Sequence, residues 1–338
     1  MTTQEFWWLF PRAEALGVPL ERRRDTLTIA MELFGCGTAL VTPFGADGAV
    51  DEKALVRLVN WQIESGINFL IPCGTTGEAS TLSEAEWLRV IELTVETAAG
   101  RVPVFGGCTH NSTAEAVART KKLSQVRGLT GVLTANPYYN KPGQEGQYQH
   151  FRAIAEATEL PVLLYNIPGR TGVNLEAATL FRLAKLENVI GIKESSGLIT
   201  QITDLITQAP AGFKVFAGDD SLALPVIALG GAGLVSVASN LIPREMSEMM
   251  SAALGGDWDA ARALNKRFFR LMMAHFWEPS PAPVKATMKM CGLLEENLRL
   301  PMVPVSDGTR ERLRTVVVEA GVAHAAPEPS APASPEIA

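Results

Sequence analysis

Cysteine and histidine are scarce in this 338-residue chain, four of each, and their placement excludes more than their number does. Cys36, Cys73, Cys108 and Cys291 stand far apart with no Cys-x-x-Cys pair, which suggests neither a zinc site nor a disulfide framework. A reducing, cytoplasmic compartment is expected. His110, His150, His275 and His324 never fall at ligand spacing on an expected helix, so no histidine-built metal centre is expected, while magnesium held by carboxylates stays open. Positive charge is also short: the net charge is -6, and the single basic cluster, Arg22-Arg23-Arg24, argues against a nucleic-acid surface. No apolar run reaches the ~20 residues of a membrane span. The early Phe6-Trp7-Trp8-Leu9-Phe10 is broken by Pro11 and Arg12 and is too short for a signal-peptide core. Small-molecule chemistry carried by lysine, tyrosine and threonine is what these absences leave.

The chain is 47% hydrophobic, enough for a large core, and its length suits one α/β barrel of roughly 250 residues with additions or two ordinary domains. The pattern decides between them. Short apolar runs at 37–43, 69–71, 102–105, 132–135, 162–166, 189–192, 215–217 and 234–237 read as strands. Helical spacing follows each of the first seven: 52–64, 83–99, 113–126, 145–158, 176–186, 199–208 and 221–229, with a capping box expected at Ser83-x-x-Glu86. Uniformly apolar strands alternating with helices predict a parallel sheet covered on both faces. Eight units favour a closed (β/α)8 TIM barrel, and no Gly-x-Gly-x-x-Gly follows the first strand to support a dinucleotide-binding open sheet. The expected organisation is a leader over 1–30, the barrel over 31–242, a C-terminal helical extension over 243–321 (helices at 244–253, 257–275, 282–293 and 308–320) and a disordered Ala/Pro/Ser/Glu tail over 322–338. Met31 opens directly onto the first strand, so it is either the natural start or the residue after a genuine peripheral helix.

The sixth strand runs Val189-Ile190-Gly191-Ile192 straight into Lys193. An ammonium loses its hydration in such a place, which favours the neutral amine that attacks carbonyls and forms Schiff bases. The plainer alternative is a strand-end lysine that reaches solvent or pairs with Glu194. Barrel enzymes collect their sites from the loops at the carboxyl ends of the strands. There the sequence offers Gly74-Thr75-Thr76-Gly77-Glu78, Pro137-Tyr138-Tyr139-Asn140, Tyr165 with Arg170, and Gly218-Asp219-Asp220. Each alone has an ordinary structural explanation: a strand-to-helix turn, interface aromatics, a buried tyrosine with a surface arginine, and helix-capping acids. Gathered on one rim, they suit a lyase that holds a 2-oxo acid as an imine, relays protons through hydroxyls and grips a carboxylate with a guanidinium. A catalytically silent scaffold fits poorly with so many reactive groups, and a phosphate-binding barrel fits poorly with the acidic Asp219-Asp220.

In order and spacing, Gly74-Thr75-Thr76-Gly77-Glu78, Pro137-Tyr138-Tyr139-Asn140, Tyr165 through Gly172 and Gly191-Ile192-Lys193-Glu194 resemble the dihydrodipicolinate synthase family. The resemblance covers roughly residues 34–321. It implies condensation of pyruvate with aspartate semialdehyde on the diaminopimelate route to lysine, with no cofactor beyond the covalent imine. It implies that Lys193 forms the Schiff base, Tyr165 is general acid and base, and Thr75 relays protons between Tyr165 and Tyr139. Tyr139 would come from a neighbouring subunit, so a homodimer is the minimal unit and a dimer of dimers the expected assembly. Thr76 and the backbone of Val235 would hold pyruvate, and Arg170 the carboxylate of the aldehyde. The nearest rivals, the N-acetylneuraminate lyases and 2-keto-3-deoxy sugar acid aldolases, take neutral polyols, for which a dedicated arginine makes less sense. Asn111, Glu115 and Tyr138 match a lysine-binding regulatory site of some members. Glu84 and Trp87 stand where inhibited bacterial members often have histidines, so weak or absent feedback is expected, and tight lysine binding by calorimetry would overturn that.

Overall fold

The computed structural model describes residues 33–322. The leader over 1–30, the start at Met31 and residues 323–338 of the expected tail lie outside the described residues. Eight strands form one parallel sheet: β1 (Gly35–Ala39), β2 (Phe69–Ile71), β3 (Phe105–Gly107), β4 (Gly131–Ala135), β5 (Val162–Asn166), β6 (Val189–Glu194), β7 (Lys214–Ala217) and β8 (Gly233–Ser236). β1 pairs with both β2 and β8, and pairing runs on from β8 through β7, β6, β5 and β4 to β3. The sheet closes between β2 and β3 through a single bridge, Leu70 to Val104, where the Leu70 N–H donates to Pro103 O at 2.9 Å. The fold is therefore the expected (β/α)8 barrel.

Seven helices follow the strands: α1 (Glu52–Glu64), α2 (Glu84–Ala98), α3 (Thr113–Leu123), α4 (Gln144–Glu156), α5 (Ala177–Leu183), α6 (Ile199–Gln208) and α7 (Ala223–Ala228). The Ser83 capping box is formed, its hydroxyl accepting from Glu86 N–H and Glu86 accepting from Ser83 N–H. The C-terminal region supplies α8 (Pro243–Leu254), α9 (Trp258–Ala274), α10 (Ala282–Met290) and α11 (Asp307–Glu319). α8 lies against β1 and β8 and completes the eighth unit, so the added region proper begins at α9.

β4, β6, β7 and β8 differ from their expected limits by one or two residues, and two strands differ by more. β1 ends at Ala39, short of residue 43: the Leu40 N–H still reaches Ile71 O at 3.0 Å, but the Val41 N–H donates to the Asn240 side chain at 3.0 Å instead of to a neighbouring strand. β3 occupies Phe105–Gly107 instead of 102–105. Gly106 and Gly107 have little strand propensity, but a Cβ on Gly107 would lie 2.1 Å from Cys73 O, so only glycine permits this approach to the β2 loop. Large and small residues also alternate inside the barrel. Phe69 meets Phe216 and Phe105 edge-to-face at centroid distances of 5.3 and 6.3 Å, in space that a Cβ on Gly37 would fill.

His275, just past α9, is fully buried against α10. Its Nε2 lies 3.1 Å from Thr287 Oγ1, whose hydroxyl donates to Val284 O at 2.9 Å. The ring must then donate from Nε2, leaving Nδ1 a bare acceptor. Burial pulls the imidazole down from its ordinary value to about 3. The unfolded chain thus binds a proton near pH 6.5 that the folded chain refuses, and this contribution to stability is lost as pH falls below 6.5. Asp220, pushed up to about 6 by burial, acts oppositely, costing stability as pH rises from its unfolded value. Comparison with a His275→Gln variant cancels the Asp220 part. The stability advantage of the parent over that variant is expected to shrink by about 1.4 kcal/mol per pH unit between pH 6 and 4. Urea denaturation at several pH values reads this out, and a pH-independent difference would contradict it.

Candidate active site at the carboxyl rim of the barrel

Side chains alternate across a strand, and on β6 the alternation sends Lys193 and Glu194 to opposite faces. Lys193 points into the barrel. It is registered with Tyr165 on β5 and Phe216 on β7, and it is 5% exposed. Its Nζ lies 4.2 Å from the centroid of the Tyr165 ring, itself buried, and among the described residues it has no ion-pair partner. The alternative that Lys193 pairs with Glu194 is thereby excluded. Glu194 instead accepts from Asn166 Nδ2 at 3.0 and 3.2 Å and from Ser196 N–H at 2.7 Å. Burial pushes its carboxyl up, with those hydrogen bonds pulling the other way.

The other rim residues take their places strand by strand. After β2, Thr76 is buried and Thr75 is exposed. The turn is held by Glu78 N–H donating to Thr75 O at 3.1 Å and by Thr42 Oγ1 donating to Gly77 O at 2.7 Å. Two non-glycine residues in left-handed backbone bracket it, Cys73 at φ +57° and Glu78 at φ +52°. Val235 lies fully buried on β8 in the inner cluster that also contains Tyr165 and Phe216. Arg170 closes a one-turn helix (Pro168–Thr171) after β5 and is exposed, and its Nη2 donates to Ser280 O at 3.1 Å.

Within one chain Tyr139 is not drawn into this group. It is 88% exposed at φ +72°, on a loop tied to the segment just before α3 by Asn140 Nδ2 donating to Asn111 O at 2.9 Å. That tie brings the Tyr138 loop beside Asn111, one turn before Glu115. Trp87 is a core residue that donates from Nε1 to Gly107 O at 2.7 Å, and Glu84 pairs with Lys122 on the surface.

Two features escaped the sequence. Asp219 does cap, accepting from Ser221 N–H, but Asp220 does not. It is buried beneath β8 and accepts from Ser236 Oγ and from the N–H groups of Val237 and Ala238, which fixes the strand's exit. The second is an ion pair between Glu78 and Lys285, 207 residues apart. No local signal marks Asp220, which stands between Asp219 and Ser221. No local signal exists for Glu78 and Lys285.

The fold and rim define a class: a (β/α)8 barrel with a buried lysine on its sixth strand, without an ion-pair partner among the described residues, beside a tyrosine on its fifth. A family model described as the dihydrodipicolinate synthetase family matches residues 32–320, and the chain belongs to that family. It is 58% identical over 292 residues to 4-hydroxy-tetrahydrodipicolinate synthase of Koribacter versatilis, covering 86% of this chain and 97% of that protein. Among solved structures, the chloride-inhibited dihydrodipicolinate synthase from Acinetobacter baumannii complexed with pyruvate superposes with TM-score 0.84. That pair is 43% identical, covering 86% of this chain and 99% of that one. The enzyme from Cyanidioschyzon merolae with lysine bound gives TM-score 0.83 at 38% identity, covering 86% and 99%.

Gly218, at the end of β7, leaves the room that Lys193 occupies. A Cβ there would lie 1.9 Å from Ser195 Oγ and 3.0 Å from both Cγ and Cε of Lys193. The serine hydroxyl can rotate away, but the lysine stem is enclosed. Gly218→Ala is therefore expected to lower kcat by about 10- to 100-fold with only a small change in melting temperature. Steady-state kinetics beside thermal denaturation checks this, and parental kcat would show that the stem yields freely.

Proposed function

We propose that this chain condenses pyruvate with L-aspartate 4-semialdehyde to 4-hydroxy-tetrahydrodipicolinate, on the diaminopimelate route to lysine. The observation that carries the proposal is the unpaired Lys193 amine inside the barrel, 4.2 Å from the ring of Tyr165. Lys193 attacks the carbonyl of pyruvate, and water leaves as the imine forms. Tyr165 serves as acid and base for that exchange, with Thr75 and Tyr139 as its proton relay. Thr76 and the backbone of Val235 hold the carboxylate of pyruvate. Loss of a proton from the methyl group then gives the enamine that adds to the aldehyde, whose own carboxylate Arg170 grips. No cofactor is required beyond this covalent imine.

The exposure and left-handed backbone of Tyr139 support its completing the site of a neighbouring copy, so a homodimer is the working unit and a homotetramer the assembly. The proposed location is the cytoplasm. Among the described residues no helix is long and apolar enough to cross a membrane. Asn111, Glu115 and Tyr138 are the proposed regulatory residues. The buried Trp87 and the Glu84–Lys122 pair in place of histidines support weak or absent feedback by lysine.

Turnover of pyruvate with aspartate semialdehyde, set beside pyruvate with neutral sugar aldehydes, tests the proposal. A strong preference for the semialdehyde is expected. Preference for a sugar aldehyde would move the chain to the sugar acid aldolases and leave Arg170 without its role. Arg170→Ala is expected to raise KM for the semialdehyde by about 10-fold or more while sparing pyruvate, because a charge-assisted bidentate contact is lost. Equal damage to both substrates would make the arginine structural.

A further inference from the structure

The added C-terminal helices reach the catalytic mouth. Lys285 on α10 is completely buried, and its Nζ lies 2.5 Å from Oε1 of Glu78, which is 2% exposed at the side chain. The same ammonium donates to Asn297 O at 2.9 Å and lies 4.4 Å from the centroid of the Phe44 ring. The second oxygen of Glu78 accepts from Arg299 N–H at 3.2 Å. Thus α10 and the segment after it meet both oxygens of Glu78, and the backbone N–H of Glu78 in turn holds Thr75 O.

A buried ion pair is a poor way to add stability, since desolvation consumes most of the attraction and a well-packed apolar pair does as well. What it supplies is direction: two oppositely charged groups with defined hydrogen bonds admit one orientation. Glu78 needs such a constraint. It occupies left-handed backbone, which a residue with a side chain keeps only where its surroundings over-determine it. Thr75 and Thr76 stand three and two positions before it.

We propose that Glu78 and Lys285 are positioning residues: their buried pair locks the turn that aims Thr75 and Thr76 at the Lys193 amine, so the C-terminal region is part of the catalytic apparatus. This rests on the condensation proposed above for the roles of the two threonines. Release of the pair lets the turn relax and misaligns the relay hydroxyl, while Arg170 keeps its own tie to Ser280 O at the aldehyde end of the site.

Two variants of the full-length protein test it. Glu78→Asp keeps the charge but withdraws the carboxylate by one methylene. Glu78→Gln with Lys285→Met removes both charges together and leaves none uncompensated. Each is expected to melt within about 5 °C of the parent. In each, kcat for pyruvate with aspartate semialdehyde is expected to fall about 10- to 100-fold, because relay geometry is displaced by a fraction of an ångström or more. KM for the aldehyde should move by less than about 3-fold. Parental kcat in either folded variant overturns the proposal. So does failure of both to fold, which would make the pair a fold-holding contact. If the parent prefers another aldehyde, the assignment of the second substrate fails, and the kcat comparison on that aldehyde decides the positioning role, because the threonine turn serves the pyruvate end.

Discussion

A lysine side chain held inside the barrel with no ion-pair partner among the described residues is the constraint on which the rest of this structure turns. Lys193 has every neighbour arranged to tolerate it and none to neutralise it. The adjacent carboxylate is on the opposite face of β6, occupied by Asn166 and the Ser196 N–H. The two aromatic neighbours are in register on β5 and β7, and Gly218 leaves the stem its space. Such a group is costly to bury, and a protein keeps it where the chemistry requires an amine that water does not hold.

From that constraint the division of labour around the rim follows. β6 supplies the amine and β5 the phenol, which are rigid because both lie within paired strands. The loops supply groups that must be aimed more finely, and each is secured from outside the strand it follows. The threonine turn is tied to α10 through Glu78 and Lys285, and the Arg170 loop is tied to Ser280 O, two residues before α10. Arg299 extends the same hold to the start of α2, where it pairs with Glu86 of the capping box and pulls that carboxyl down to about 2. On the positioning proposal, the C-terminal helices are one wall of the site, which gives a barrel complete by α8 a use for three more helices.

Much of this was legible in the sequence because it is local. Eight apolar runs with helices between them fix a parallel barrel, and the place of Lys193 at the end of the sixth run follows from strand alternation alone. The Ser83 capping box needs only four residues to be recognised. What was hidden is non-local or lacks a side chain. β3 lies beyond its apolar run because Gly106 and Gly107 carry no strand signal; Gly107 lets two backbones approach, and Gly106 leaves room for the Ile91 and Leu123 side chains. Asp220 reads as a capping acid because nothing near it in sequence reveals the burial imposed by β8. Glu78 and Lys285 lie 207 residues apart, and no pattern in either segment announces the other. Tyr139 is a different case. Its motif is plain, but a single chain leaves it in the open, since its proposed place is in another copy.

The central claim is that Lys193 holds pyruvate covalently, and borohydride reduction tests it most directly. The protein is incubated with pyruvate, reduced and digested, and its peptides are weighed. The account predicts a pyruvate-derived mass increase on the peptide containing Lys193, absent without pyruvate and absent in Lys193→Arg. An unlabelled protein, or a label on another lysine with Lys193 unmodified, would contradict it.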